Sequence, residues 1–534
     1  MYIRSIGIAF AGIVATAVAC VVCSGGNPTP PQGKPTAKLD QRLELFRDWP
    51  KPDAVIVFSG QQWGYLEPCG CSPEFQKGGL ARRMTFIRSL SQRQWPTLCL
   101  DLGGVLDNHS RQTAHIKFVA GAEQAGAKME VALLAMQRMR YTVLNIAPED
   151  IAVRNGFVGL MGMLINVDRP AEPRVVSLNL DITEDWHKEK LVYPAFVRQV
   201  GNTRVGVVGL VGDKHKDQMA DPEIRRWMPP ADVLQQKLPE LKQASDLQVV
   251  LLYGPISEAQ ALAAKFPDLD VIIHTYDADE PTSNAEWANN GKTMLVTIGA
   301  QGKYTGAIGV FSQGERMRYQ LVPLDDRFEH DKEIRKLLDE DLIEKYRELK
   351  LVENAPRVPY PDGPQLRFLG SDACKQCHPN VFKFWKGTRH AHALETLVNG
   401  HEEQGKRIAP GKHVNPECVS CHTTGFFYTG GYDGLPNTAH LNGNGCENCH
   451  GPGSEHVKIY LNLDATDEDR ARARRLVRTK PQTKDHNLCE RCHDHDNDPG
   501  FDFDERWADV EHGEPAGEDE KLWPAIREMI RGAK

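Results

Sequence analysis

Between residues 52 and 330 the chain alternates short, nearly unbroken apolar runs with longer stretches whose apolar positions recur at helical spacing. The runs AVIVFSG (Ala54–Gly60), LCLDLGG (Leu98–Gly104), YTVLNIA (Tyr141–Ala147), RVGVVGLVG (Arg204–Gly212), LQVVLLYG (Leu247–Gly254) and VIIHTY (Val271–Tyr276) are rich in β-branched residues. Short apolar runs without polar alternation predict strands buried on both faces. The helical stretches fall near Leu80–Leu90, Thr113–Arg140, Val233–Gln243 and in SEAQALAAKF (Ser257–Phe266). Strands alternating with helices predict an α/β layered domain. Lys292–Leu324 reads as closing strands with a hairpin around Gly314. A charged helix from about Asp331 to Leu351 ends at the proline-rich APRVPYPDGP (Ala355–Pro364), so 331–365 reads as helix and linker.

Beyond this linker a different pattern takes over. Cys-x-x-Cys-His occurs four times, as CKQCH (Cys374, Cys377, His378), CVSCH (Cys418, Cys421, His422), CENCH (Cys446, Cys449, His450) and CERCH (Cys489, Cys492, His493). This is the attachment signature of c-type haem: two thiols add across the vinyl groups, and the adjacent histidine becomes the proximal iron ligand. A zinc ribbon needs no histidine directly after each cysteine pair, and a disulfide framework needs none at all. The sequence therefore predicts four covalently bound haem c groups. Cys374 to His493 is 120 residues, about 30 per motif. So little polypeptide cannot surround each ring separately, and the porphyrins are expected to form much of the core, stacked or edge to edge.

Charge and cysteine usage narrow the setting. The 534 residues carry 64 Lys and Arg against 72 Asp and Glu, a formal net charge of −8, which argues against nucleic acid as a partner. Eight of the 13 cysteines lie in the motifs, leaving Cys20, Cys23, Cys69, Cys71 and Cys99. Residues 1–26 open with Arg4 and an apolar stretch from Ile6 to Val22, the pattern of a secretory signal or an uncleaved anchor. Ala17-Val18-Ala19-Cys20 also reads as a lipobox that would acylate Cys20. Acylation, cleavage and retention as an anchor stay open. Each puts the domains outside the cytoplasmic membrane, with membrane contact only through this segment or its lipid. Residues 27–51 read as a linker, 513–534 as a tail.

The haem region resembles a known family. FLGSDACKQCHPNVFKFWKGTRHAHALETL, CVSCHTTGFFYTGGYDG and LNGNGCENCHGPGSEH are similar to the cytochrome c-554 family of tetrahaem electron carriers over about Leu366 to His512. That resemblance implies haems in close pairs, mostly bis-histidine iron, and one open haem, here the second, at Cys418 and Cys421. It places distal ligands on His390, His456 and, by a looser alignment, His512. His392, His413, His440, His486 and His495 are further candidates.

The first domain, roughly Pro52 to Leu324, resembles the metal-dependent phosphoesterase domain of the 5′-nucleotidase family in strand order and spacing. GGLARRMTFIRSL stands for its first helix, TLCLDLGG for its second metal strand and PDLDVIIHTYDADEP for its last. The family holds two metals with Asp, Asn and His. Here its Asp-x-His falls on Gln61-Gln62-Trp63, its Gly-Asp on Gly103-Gly104, its Gly-Asn-His-Glu on Ile146-Ala147-Pro148-Glu149, and its paired histidines on Tyr276 and Ala278. The resemblance therefore implies an inactive, metal-free domain. EPCGC places Cys69 and Cys71 at the mouth of that cleft. Their mutual disulfide would close a strained ring. A thiolate metal site, a sulfur-handling redox pair, and pairing of one thiol with Cys99 stay open.

The fold expected is thus an α/β layered metallophosphoesterase-like domain followed by a mostly α/irregular tetrahaem cytochrome c domain. The function expected is electron transfer with other envelope redox proteins, more than hydrolysis. The alternative is a multihaem oxidoreductase acting on a small nitrogen or sulfur compound, at a five-coordinate haem or at Cys69 and Cys71.

Overall fold

The apolar runs pair into two sheets. In the first, Ala54–Ser59, Thr97–Asp101, Tyr141–Asn145, Arg174–Val176 and Val192–Tyr193 lie parallel in that order, and Tyr304–Val310 and Met317–Pro323 extend it antiparallel beyond Ala54–Ser59. In the second, Thr203–Val211, Leu247–Tyr253, Val271–His274 and Thr293–Val296 are parallel, with antiparallel edge strands Phe196–Val200 and Glu286–Ala288. The structure, a computed structural model, describes residues 44–532 except 69–75, 107–111, 114–115, 118–120, 153–155, 167–171, 189, 276–280, 404–405, 436, 480–487, 495–496 and 499.

The two-residue period of a strand explains why these runs are apolar throughout. Ala54, Ile56 and Phe58 of the first sheet and Val205, Val207, Val249 and Leu251 of the second share one core between the sheets. Their neighbours Val208, Leu210, Val250 and Leu252 turn outward onto Leu234, Leu238, Leu241, Ala259 and Leu262 of the helices Pro230–Ala244 and Ile256–Lys265. Both faces of the sheet are covered, as a parallel sheet requires.

Two expectations are corrected, and one helix was not foreseen. The stretch Thr113–Arg140 is not one helix. Helix runs over Ala122–Arg138, starting after the extended Gly121, and Gln112–Thr113 pairs with Ile116–Lys117 ahead of it. The helix Gly156–Asn166 has three glycines, which hid it from a propensity reading. The supposed tail forms the helix Gly513–Gly532, and its buried Asp519 accepts from the backbone N–H of Asn380 and Val381 at 3.0 Å each.

The charged helix is a rod in three pieces, Lys332–Lys336, a wide π turn at Leu337–Asp341, and Leu342–Glu348, capped by Asp331. Between it and the helix Gly513–Gly532 the polypeptide forms short helices with little apolar core. Val352, Phe368, Leu394, Leu397, Val419, Phe426, Tyr432 and Leu441 make one buried cluster, Ile459, Ala465 and Ala473 a second. That is too few side chains to hold a segment of this length without another apolar body. Among the described residues no helix is long and apolar enough to cross a membrane.

Candidate cofactor site

The four motifs sit at helix starts or in single turns. Pro416–His422 carries the second, opened by Asn415, whose side chain accepts from Glu417 N–H, with proline at the first helical position. Cys446–His450 carries the third, and Cys489–Arg491 is a 3₁₀ turn opening the fourth. The first follows the turn Ser371–Ala373. Glu447, buried inside the third motif, accepts from Leu369, Gly370 and Gly453 N–H and so binds the approach of the first motif to the third. Cys374 lies near Cys446, Cys421 near Cys492, and Cys449 near Cys489 and Cys492. The first motif thus neighbours the third, and the fourth neighbours both the second and the third.

Six of the predicted iron ligands face each other in three pairs. Ring centres are 6.4 Å apart for His378 and His456, 6.2 Å for His390 and His493, and 5.8 Å for His450 and His512. An imidazole nitrogen bonds a first-row metal at about 2.0–2.1 Å, so two rings on opposite sides of one ion have centres about 6.3 Å apart. The spacing fits a metal between the rings.

The hydrogen bonds fit it too. Nδ1 faces a backbone carbonyl in His422 (Ala393, 2.7 Å), His450 (Val477, 2.9 Å), His456 (Ala473, 3.2 Å) and His512 (Val510, 2.9 Å), and the Asp498 carboxylate in His493 (2.7 Å). Such a bond fixes the proton on Nδ1 and turns Nε2 to the metal. Burial lowers the pKa of His378, His390, His450 and His456, which favours the neutral, ligating form. The residues present therefore fit haem c.

Other candidates lie elsewhere. His392 is a surface residue with Nδ1 on Glu395 (3.1 Å) and Nε2 on the Lys386 carbonyl (3.0 Å). His440 is exposed, and His413 lies in the turn Lys412–Val414; neither joins the three pairs. His486 and His495 lie outside the described residues.

In the α/β domain Gln61, Trp63, Gly103, Gly104 and Glu149 lie at the carboxyl ends of the strands Ala54–Ser59, Thr97–Asp101 and Tyr141–Asn145. Gln61 N–H donates to the Gly103 carbonyl and Trp63 N–H to that of Gly104, both at 2.8 Å. Gly104 N–H donates to Asp150 (2.9 Å), and the Tyr253 hydroxyl to Glu149 (2.9 Å). Among the described residues no group of three or more His, Cys, Asp or Glu is arranged to hold a metal ion. Cys99 is a free thiol buried in its strand, and burial pushes its pKa up to about 12. Cys69, Cys71, Tyr276 and Ala278 lie outside the described residues.

Sequence reasoning missed the groups that tie the two domains together. Lys412 and Arg335, both buried, converge on Glu67, with Arg335 Nη1 2.8 Å from Glu67 Oε1 and Lys412 paired to Oε2. Burial pushes the Glu67 carboxyl up, but the two cations override it and hold the pKa at about 2. Lys128 pairs with Glu417, and Gln124 donates to the Asn415 cap oxygen at 3.1 Å. Asn415-Pro416 before an acidic residue was a legible helix start; the partners, hundreds of residues away, had no local signal.

The fold and site define a class: a haem c-binding segment joined to a two-sheet α/β domain. Residues 373–451 match the family described as cytochrome c554 and c-prime, and so imply covalently bound haem c. Cytochrome c-554 of Nitrosomonas europaea is 40% identical over 91 residues, which is 16% of this chain and 39% of that protein. Among solved structures, the 5′-nucleotidase precursor of Thermus thermophilus aligns with TM-score 0.45 at 18% identity, over 70% of this chain and 74% of its own. The sulfate thiohydrolase SoxB of Thermus thermophilus aligns with TM-score 0.45 at 13% identity, over 71% and 74%.

Proposed function

We propose that this chain is an extracytoplasmic electron-transfer protein with four covalently bound haem c groups, joined to an α/β domain that does not hydrolyse phosphoesters. The observation that carries this reading is the set of three facing histidine pairs, each joining a Cys-x-x-Cys-His histidine to a histidine of another segment. Bound haem c supplies reversible one-electron chemistry at iron. Cys374, Cys377, Cys418, Cys421, Cys446, Cys449, Cys489 and Cys492 would hold the four groups, with His378, His422, His450 and His493 as proximal ligands. His456, His390 and His512 would cap three of them, keeping water and substrate off the iron and favouring electron transfer over chemistry. By the family resemblance the second group is the open one. Other redox proteins of the envelope are the proposed partners, reached from the periplasmic side.

The glutamine, tryptophan and glycines that replace the metal ligands support the non-hydrolytic reading. Cofactor number tests the proposal. Intact mass should exceed the mature polypeptide by four haems, with a pyridine haemochrome assay in agreement. Three or fewer in fully matured protein overturns it.

A further inference from the structure

Three side chains of the α/β domain reach the haem segment at one place, the approach to the second motif. Gln124 and Lys128, one helical turn apart on Ala122–Arg138, take the cap oxygen of Asn415 and the carboxylate of Glu417. Glu67 takes the ammonium of Lys412. Arg335 completes the cluster from the connecting rod and also binds Asp339 at 2.9 Å. The helix bearing Cys418, Cys421 and His422 therefore begins against the α/β domain, with its cap residue Asn415 and its Glu417 held from that side.

Stability alone is a weak reason for such a cluster. Lys412 is 5% exposed, Arg335 7% and Lys128 6%. Taking charges out of water costs about what their attraction returns, and apolar replacements of similar shape often serve as well. What buried charges do supply is a fixed field in a medium that screens little. Lys412 lies in the turn Lys412–Val414 directly ahead of the helix Pro416–His422 that carries Cys418, and Glu67 is paired to it there.

We propose that the α/β domain forms part of the second haem site, and that the Lys412–Glu67 pair, backed by Arg335, sets the reduction potential of the haem attached at Cys418 and Cys421. This rests on the haem reading above and adds to it a role for the otherwise inert domain. Lys412 and Glu67 are positioning residues in this scheme; neither exchanges protons or electrons. Oxidised haem carries one more positive charge than reduced haem. The ammonium of Lys412 therefore favours the reduced form, and the carboxylate of Glu67 offsets it.

Redox titration of the full-length holoprotein, followed by optical and EPR spectra, tests the proposal. A C418A/C421A variant first identifies which titration step belongs to the second haem. E67Q should then raise the potential of that step, and K412M should lower it, each by a tenfold change in the reduction equilibrium, about 59 mV for one electron. The double variant E67Q/K412M should return it close to the parent. The other three steps should move less.

Opposite signs separate an electrostatic role from loosened packing, which would drive both variants the same way. Two single variants that leave the step unmoved, or shift it in one common direction, overturn the inference while the haem count stands. If C418A/C421A retains as many haems as the parent, the cofactor reading itself fails and the inference falls with it.

Discussion

Histidine suits both ends of an iron axis because one ring nitrogen can be tied to the protein while the other donates to metal. His456 and His512 have that arrangement at the capping end, with Nδ1 at the carbonyls of Ala473 and Val510. Replacing His390, His456 or His512 by alanine should each turn one low-spin haem high-spin, by EPR, without loss of covalent haem. An unchanged spectrum in any variant removes that residue from the ligands. Glu67 yields a pH prediction. Its carboxyl falls from 4.5 to about 2 on folding, so its stabilisation is full above about pH 4.5 and is lost as pH falls towards 2. E67Q should lose about 2 kcal/mol at pH 6, less than the roughly 3–5 of a fully buried pair, since Glu67 is 31% exposed. Denaturant unfolding followed by haem absorbance should show that gap closing between pH 4.5 and 2. The cysteines and proximal histidines were legible because their spacing is itself the chemical requirement. The Lys412–Glu67 pair was not, since nothing near Lys412 announces a carboxylate 345 positions earlier.

At the scale of elements, strands were legible where both faces are buried, as in Leu247–Tyr253, since a continuous apolar run has few other homes. Helices stabilised by contact were not. Gly513–Gly532 carries a proline at 524 and many charges, and what organises it is docking on Pro379–Lys386 through Asp519. Gly156–Asn166 likewise overrides its glycines through buried Phe157, Leu160 and Met161. The helix Pro416–His422 depends on its cap. Asn415→Ala removes the acceptor for Glu417 N–H and strands the Gln124 amide, which should cost about 1–2 kcal/mol. Thermal unfolding should show a lower midpoint with all four haems retained.

For the whole molecule, the α/β layering was legible from the order of strands and helices, whereas the meeting of the two domains was not, because it rests on a few long-range polar pairs. With Gln61, Trp63, Gly104, Ala147 and Pro148 where the resemblance would place Asp, His and Asn metal ligands, nucleotide hydrolysis with added manganese or zinc should stay at background. Robust turnover by the full-length protein would show a catalytic centre built from other residues. The facing histidines set a different kind of limit. Drawn along the chain, the pairs 378–456, 390–493 and 450–512 are three arcs, and each crosses the other two. No cut between 378 and 512 leaves every arc whole. The segment is knitted rather than strung. It cannot be cut into one-haem pieces like a row of beads, and an inserted stretch that leaves every arc whole has to enter before 378 or after 512.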